Sequence, residues 1–424
     1  MNVSPMKQPM FKTRRARRIF KSFTVLVILG VLGVGLLLGA LWLEHRTDVT
    51  LPTPTGPFAV GRSLHDWVDD KTLDTLAPLP GIKRRELLVW IWYPAATGKS
   101  GAVVDDYEPA SVRAPARDAG FRLLSRVFGL LTRDLSRVHG HSLRNAGVSP
   151  KQPTYPVVIM RAGASTGVMN YSTLAEDLAS HGYVVVGFDA PYRTIEVVFP
   201  DGRVVERRPE NNPELFSGEE LIRLANKLLA AWTGDIAFVL DRLERLSASD
   251  ASGKFTGRLN MTRVGVFGHS LGGATAAQFC SQDSRCKAGI DVDGAPLGGV
   301  IQTGIHKPFM ILLSGHGDFS SKAEIRQIIA DIQSIYDRLP PDERLRIVIR
   351  GANHFTFSDD GALLKSHIVL GTFRMLGILG IDGRRQLAVT AYCVHSFFDA
   401  YLKGPGVSRL KISSPLHPEV QVLE

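Results

Sequence analysis

The residues with the clearest chemical signature lie in FGHSLGG, Phe267 to Gly273. Gly268, Ser270 and Gly272 fit the spacing G-x-S-x-G, which aims a serine hydroxyl from a sharp turn when a strand runs in and a helix runs out. Here the β-type run RVGVFG leads directly into Ser270, and the helix-compatible LGGATAAQFC follows. Glycines at 268, 272 and 273 suit a turn in which the serine backbone is strained and its neighbours approach closely. The pattern predicts Ser270 as a nucleophile. A serine hydroxyl is weak in that role, so it needs a base, and the base needs an orienting acid. His354, in RGANHF after the run LRIVIRG, is the predicted base. His269 sits inside the turn and faces the wrong way, His139 and His141 precede the nucleophile, and His316 follows an earlier strand. For the acid the pattern leaves two choices. Asp293 follows KAGIDV, one strand beyond the serine, and Asp318 in SGHGD follows the next strand. Asp291, earlier in its strand, reads as structural. A tetrahedral oxyanion needs donors placed in advance, and the backbone N–H of Leu271 is the first. This chemistry requires no metal and no organic cofactor.

These side chains need a rigid frame. ELLVWIWY (Glu86 to Tyr93) and YPVVIM (Tyr155 to Met160) read as buried strands. The helical pattern YSTLAEDLASHG and the strand YVVVGFD follow. RVGVFG, KAGIDV, PFMILLSG and LRIVIRG continue the alternation, which predicts an α/β fold with a mostly parallel sheet flanked by helices. PDGR at 200–203 predicts a hairpin. Ser217 and Glu220 form a capping-box pattern ahead of a long amphipathic helix. A last amphipathic helix spans roughly Gln386 to Leu402. The segment at about 105–150 reads as an insertion, in which Phe121 to Leu135 has the pattern of a lid or membrane-resting helix, or of an ordinary surface helix.

Of the net charge of +9, residues 1–44 carry +6, so the body is only mildly basic and the charge gives no case for nucleic-acid binding. Phe23 to Leu43 holds no charge over 21 residues and, as a helix of roughly 32 Å, would cross a hydrocarbon core. The reading is a basic cytoplasmic tail (1–22), a single transmembrane signal anchor (23–43), a linker (44–60) and a globular domain (61–424). The cationic flank keeps the amino terminus cytoplasmic and puts the body in the periplasm or outside the cell. A cleaved signal peptide is the competing reading. Cys280 and Cys286 flank the end of the helix after Ser270 and are candidates for a short-loop disulfide, while Cys393 reads as core.

The chain from about Gly56 to Gly404 resembles the platelet-activating-factor acetylhydrolases of the plasma and intracellular type, which are α/β-hydrolases. The likeness rests on YPVVIM with the turn RAGAS, on YSTLAEDLASHGYVVVGFDAPYR, GHSLGGAT and CKAGIDVDGAP, and on the late NHFTFSD. By this resemblance the nucleophile falls on Ser270, the acid on Asp293 rather than Asp318, and the base on His354. It places the second oxyanion donor near Gly163. Family members usually begin that turn with His-Gly, where this chain has Arg161-Ala162, and Arg161 either meets a phosphate or carboxylate at the mouth or points to solvent. The implied activity is that of a serine esterase on lipid esters with short acyl chains. A broad carboxylesterase, a dienelactone-hydrolase-like enzyme and a non-catalytic binding domain are the alternatives.

Overall fold

The computed structural model describes residues 10–78, 83–96, 103–113, 134–164, 166–315, 322–363, 371, 375–376, 380–404, 410 and 412–423. These form two compact units, one of residues 10–47 with 134–137, the other of the remainder. In the first unit, helix α1 (Met10–His45) starts inside the basic tail. Its Phe20–His45 portion has a mean hydropathy of 2.6 and the length and composition of a membrane span or a signal sequence. Most of Phe121–Leu135, with Asp318 and His316, lies outside the described residues.

The second unit is built on a 12-stranded sheet. Its central strands are β1 (Ala59–Leu73), β2 (Arg84–Ala95), β3 (Tyr155–Arg161), β4 (Val184–Asp189), β5 (Leu259–His269), β6 (Cys286–Val292), β7 (Phe309–Ser314) and β8 (Arg344–Ile349). They stand in the order β1-β2-β4-β3-β5-β6-β7-β8. β2 is antiparallel to both neighbours, and every other pair from β4 to β8 is parallel. Shorter strands widen the sheet, with Val138–Arg144 beside β1 and Val420–Leu423 antiparallel to β8. Such an arrangement is the mostly parallel, helix-flanked sheet that the alternating pattern predicts.

Side-chain alternation splits the core in two. On β2, Leu88, Trp90 and Trp92 enter one core, while Leu87, Val89, Ile91 and Tyr93 enter the other. Helix α2 (Ser172–Ser180) covers the first face. Helices α3 (Gly218–Ala248), α4 (Leu271–Gln282) and α5 (Lys322–Asp337) cover the second. The first face is completed by α6 (Gly383–Phe398), through Val389, Cys393 and Phe397. Residues on β2 and β3 are nearly all buried on both faces, which is why they read as continuous apolar runs. The hairpin at Pro200–Arg203 is present, pairing Glu196–Val198 with Val204–Glu206.

Three readings need correction. Ser217 occupies the position before α3 but makes no capping hydrogen bond. Gly218 follows with φ +57, which turns the backbone away from the geometry a capping box needs. The stretch from Asp48, read as a linker, is docked along the body. Val49 and Leu51 are buried, Thr55 N–H donates to Asp177 Oδ1 (2.9 Å), and Phe58 N–H donates to the Ser180 carbonyl (3.0 Å). Its Pro and Thr composition suggested freedom, but two apolar anchors and these long-range hydrogen bonds fix it. Arg161 is the third, taken up with the site below.

Cys280 and Cys286 are joined as a disulfide across the end of α4, with Cα atoms 5.1 Å apart, and Cys393 is a buried free thiol. Closing so short a loop is worth about 2 kcal/mol in the chain-entropy account. Denatured, unreduced protein should therefore titrate one thiol and reduced protein three. Cys280→Ser should lower the unfolding free energy by about that amount. Three thiols without reductant would show that the bond is not formed.

Candidate active site

Ser270 sits between β5 and α4 with φ 56° and ψ −125°, a left-handed backbone that a non-glycine residue adopts only when its surroundings force it. The flanking glycines explain how. A Cβ on Gly268 would lie 2.3 Å from the Gly272 carbonyl oxygen, and one on Gly272 would lie 2.5 Å from the Ala162 oxygen. Only bare backbone permits these approaches. Ser270 N–H donates to the Val292 carbonyl (2.9 Å), tying the turn to the end of β6, while its own carbonyl accepts from Gly273 and Ala274 and starts α4.

The residue after Val292 is Asp293, which also has positive φ, 54°. Its amide donates to the Leu312 carbonyl (2.7 Å). Its Oδ1 accepts from the Ser314 amide (2.6 Å), and its Oδ2 faces His354 Nδ1 at 2.8 Å. Burial pushes the carboxyl up, but the hydrogen bond and charge of His354, with the Ser314 amide, carry it below the usual carboxylate range. It therefore stays ionised against the imidazole. Two residues earlier, Asp291 is fully buried and its carboxyl is pushed well above the usual range by burial. Its Oδ1 accepts from Gly294 N–H and closes the turn that carries Asp293, the structural part expected of it. His354 itself opens a 3-10 turn after β8. That turn is held by Asn353 N–H to Gln386 Oε1 (3.0 Å), and by Asp359, whose N–H donates to the Asn170 carbonyl and whose Oδ1 accepts from Thr173 N–H (3.1 Å).

Sequence reasoning missed the network behind this line. Tyr171 Oη lies 2.7 Å from His269 Nδ1 and 3.2 Å from Thr166 Oγ1, and accepts from the Gly163 N–H at 3.2 Å. Burial, with the charge of His354, lowers His269 to about 3, so it is neutral, and burial raises Tyr171 to about 12. The His269 ring lies 4.5 Å from the His354 ring. Neutral and buried, His269 packs against His354 and holds Tyr171. A Cβ on Gly163 would be 3.4 Å from both Ser270 Cβ and His269 Nδ1, so the RAGAS turn touches Ser270. Position in the YSTLAEDL helix pattern is the only trace of Tyr171 in the sequence, since its partner is 98 residues away.

Arg161 is at neither the mouth nor the surface. It is buried, donates to the Phe188 carbonyl (2.6 Å), and stacks between Phe188 and Trp232 at 4.2 and 4.5 Å. Burial lowers its pKa to about 10 against the opposing charges of Asp235 and Asp189. As the last residue of β3, its alternation directs it beneath the sheet end, where two aromatic faces accept the cation. His139 is exposed beside Asp48, and His141 Nε2 lies 3.1 Å from the Leu51 carbonyl, so the two serve separate local contacts.

Two outcomes are expected. Asp293→Asn should cut kcat on a nitrophenyl ester about 10³- to 10⁴-fold, while Asp318→Asn should change it less than about threefold. The reverse ranking would move the acid to Asp318. Asp359, raised by burial to about 8, is protonated in the folded state near neutrality. With an unfolded value near 4, its contribution to stability is complete below about pH 4 and is lost as the pH rises toward about 8. Asp359→Asn should flatten the decline of unfolding free energy across that window in denaturant titrations. An unchanged slope would mean that Asp359 is ionised.

The sequence profile of the family described as platelet-activating factor acetylhydrolase, isoform II, matches residues 44–191 and 234–403. The chain is 26% identical over 420 residues to a probable 1-alkyl-2-acetylglycerophosphocholine esterase of Arthroderma benhamiae, covering 94% of this chain and 100% of that one. It is 27% identical over 225 residues to a platelet-activating factor acetylhydrolase of Cavia porcellus, with 48% of each chain covered, so it matches about half of that mammalian relative's length. A solved ferulic acid esterase from Streptomyces cinnamoneus superposes with a TM-score of 0.68 at 26% identity, over 89% of this chain and 100% of the other. These relatives are named for ester hydrolysis, and the family match takes in β1 to β8 and the turns that carry Ser270, Asp293 and His354. The chain is thus a serine carboxylic ester hydrolase of the α/β-hydrolase fold, and it belongs to the platelet-activating factor acetylhydrolase isoform II family.

Proposed function

We propose that Ser270 attacks the carbonyl of a lipid ester with a short acyl chain, of the 1-alkyl-2-acetylglycerophosphocholine type. The observation that carries the mechanism is the 2.8 Å Asp293–His354 pair beside the strained Ser270 turn. His354 Nδ1 is held by Asp293, which leaves Nε2 to take the Ser270 proton as the C–O bond forms. The ionised Asp293 stabilises the resulting imidazolium. Negative charge on the carbonyl oxygen is met by the Leu271 N–H at the start of α4 and by the Gly163 N–H. The Gly163 amide donates to Tyr171 Oη at 3.2 Å, a long neutral contact that a charged oxyanion would outcompete. His354 then protonates the leaving alcohol, and water activated by the same base releases the acyl group.

The substrate class rests on the fungal relative, whose name specifies that ester and whose whole length is matched. The ferulic acid esterase likeness favours a second reading, a broad carboxylesterase that accepts simple or aryl esters. The apolar α1 supports a single-pass anchor through residues 23–43, with a cytoplasmic amino terminus and the hydrolase domain (61–424) periplasmic or extracellular. An anchor of this kind would hold the site beside lipid esters.

The test uses the full chain in detergent, with Ser270→Ala as the control. Acetate release from a platelet-activating-factor analogue is compared with hydrolysis of nitrophenyl acetate and methyl ferulate. Cleavage of the phospholipid, lost in Ser270→Ala, supports the lipid reading. Cleavage of the simple esters alone keeps the triad and removes the lipid substrate. Alkaline extraction of the source membranes should leave the full-length chain in the pellet, and a shortened soluble product would indicate a cleaved signal.

A further inference from the structure

We propose that Asp177, His181 and His395 form a second site, separate from Ser270, that binds a transition-metal dication of the zinc type. Asp177 and His181 are one helical turn apart at the end of α2, and His395 faces them from α6. Asp177 Oδ2 lies 2.9 Å from His395 Nδ1 and 3.9 Å from His181 Nε2, and one ligating atom from each residue falls within 4.8 Å of the others. Tetrahedral zinc with bonds of about 2.0–2.1 Å spaces its ligand atoms by about 3.3 Å. The three donors thus bracket that spacing and need only side-chain adjustment to meet it.

The surroundings suit a cation of this class. The two imidazoles are stacked, with centroids 3.9 Å apart and planes 19° apart, so one ring turns about its side-chain bonds to aim both nitrogens at a single ion. The Asp177 side chain is 5% exposed. Its Oδ1 accepts from the Thr55 N–H and hydroxyl, and its Oδ2 faces His395 Nδ1. A cavity of about 290 Å³ opens onto the cluster, lined by Pro52, Leu387, Ala391, Tyr392 and His417 among others. His417 Nδ1 has no hydrogen-bond partner among the described residues, and its ring stacks on Tyr392. Two imidazoles and one carboxylate match zinc, nickel or copper better than calcium or magnesium, which prefer a shell of oxygens.

The proton balance is simple. His395 Nδ1 shares a proton with Asp177 Oδ2, and His181 Nε2 donates to Thr55 Oγ1, which itself donates to Asp177 Oδ1. An ion at these two nitrogens moves each ring proton to the other nitrogen or to solvent. The Thr55–Asp177 hydrogen bond can remain and orient the carboxylate from outside. The bound ion would lock α2 to α6. Tyr171 directly precedes α2, and Gln386 of α6 holds the Asn353 backbone beside His354, so the expected effect is stabilisation of the frame that carries the site.

The test starts with full-length protein in detergent, stripped with chelator and then exposed to Zn²⁺ or, as control, Ca²⁺. The expected result is one zinc retained per chain after dialysis and a rise in Tm of several degrees with Zn²⁺ only. His181→Asn and His395→Asn should each lose the retained zinc and the shift while still hydrolysing nitrophenyl acetate, which shows that they fold. Co²⁺ added to the stripped wild-type chain should give the intense visible bands of a low-coordinate site, a readout independent of the variants. Absence of retained zinc in the wild type, the weak spectrum of hexa-aquo cobalt, or undiminished zinc in the His181→Asn, His395→Asn double variant would overturn the proposal.

Discussion

The structure depends on one close backbone approach. Gly268, Ser270 and Gly272 bring the end of β5, the start of α4 and the Ala162 carbonyl within distances that no side chain would allow. That approach holds Ser270 at positive φ, a conformation costing on the order of 1–3 kcal/mol. The cost is offset by hydrogen bonds on both sides of the residue, to Val292 ahead and from Gly273 and Ala274 behind. Because Ser270 N–H is bonded to Val292, Ser270 and Asp293 share one structural joint. A second strained residue, Asp293 itself, lies immediately beyond it. Parallel pairing of β5 with β6 and of β6 with β7 therefore sets where Ser270 and Asp293 stand relative to each other.

Electrostatics then separate one carboxylate from its neighbours. Asp291 and Asp359 are buried with raised pKa values, His269 is held neutral, and Tyr171 keeps its proton. Asp293, also buried, is kept charged because it faces both the Ser314 amide and His354. Among these described residues, Asp293 is the fixed charge that acts on the imidazole. The same logic places Arg161 against two aromatic faces, where the cation is tolerated without reaching substrate.

The frame is braced at a distance. Asp359 and Gln386 fasten the His354 turn, the first to the approach of α2 and the second through α6. The segment from Val49 to Phe58 is stitched to the end of α2 through Asp177 and Ser180. Residues far apart in the chain thus converge behind the first core and limit how the loops carrying Gly163 and His354 can move.

Much of this was legible in the sequence because it is local. The strands from ELLVWIWY to LRIVIRG, the turn around Ser270 and the PDGR hairpin follow from periodicity and glycine spacing within a dozen residues. Resemblance to a family supplied the preference for Asp293, which spacing alone could not separate from Asp318. Tertiary structure decided what depends on partners remote in sequence. The Asp293–His354 pair spans 61 residues, and the Tyr171–His269 pair spans 98. The docking of the supposed linker and the burial of Arg161 belong with them, since composition reports polarity but not which surface covers it. Gly218 overrode the capping pattern at Ser217 for a related reason, a backbone angle that residue spacing does not encode. Local pattern determined which elements form and where the turn that carries Ser270 stands. Sheet register and burial determined which charges meet, because those depend on chain segments brought together only by folding.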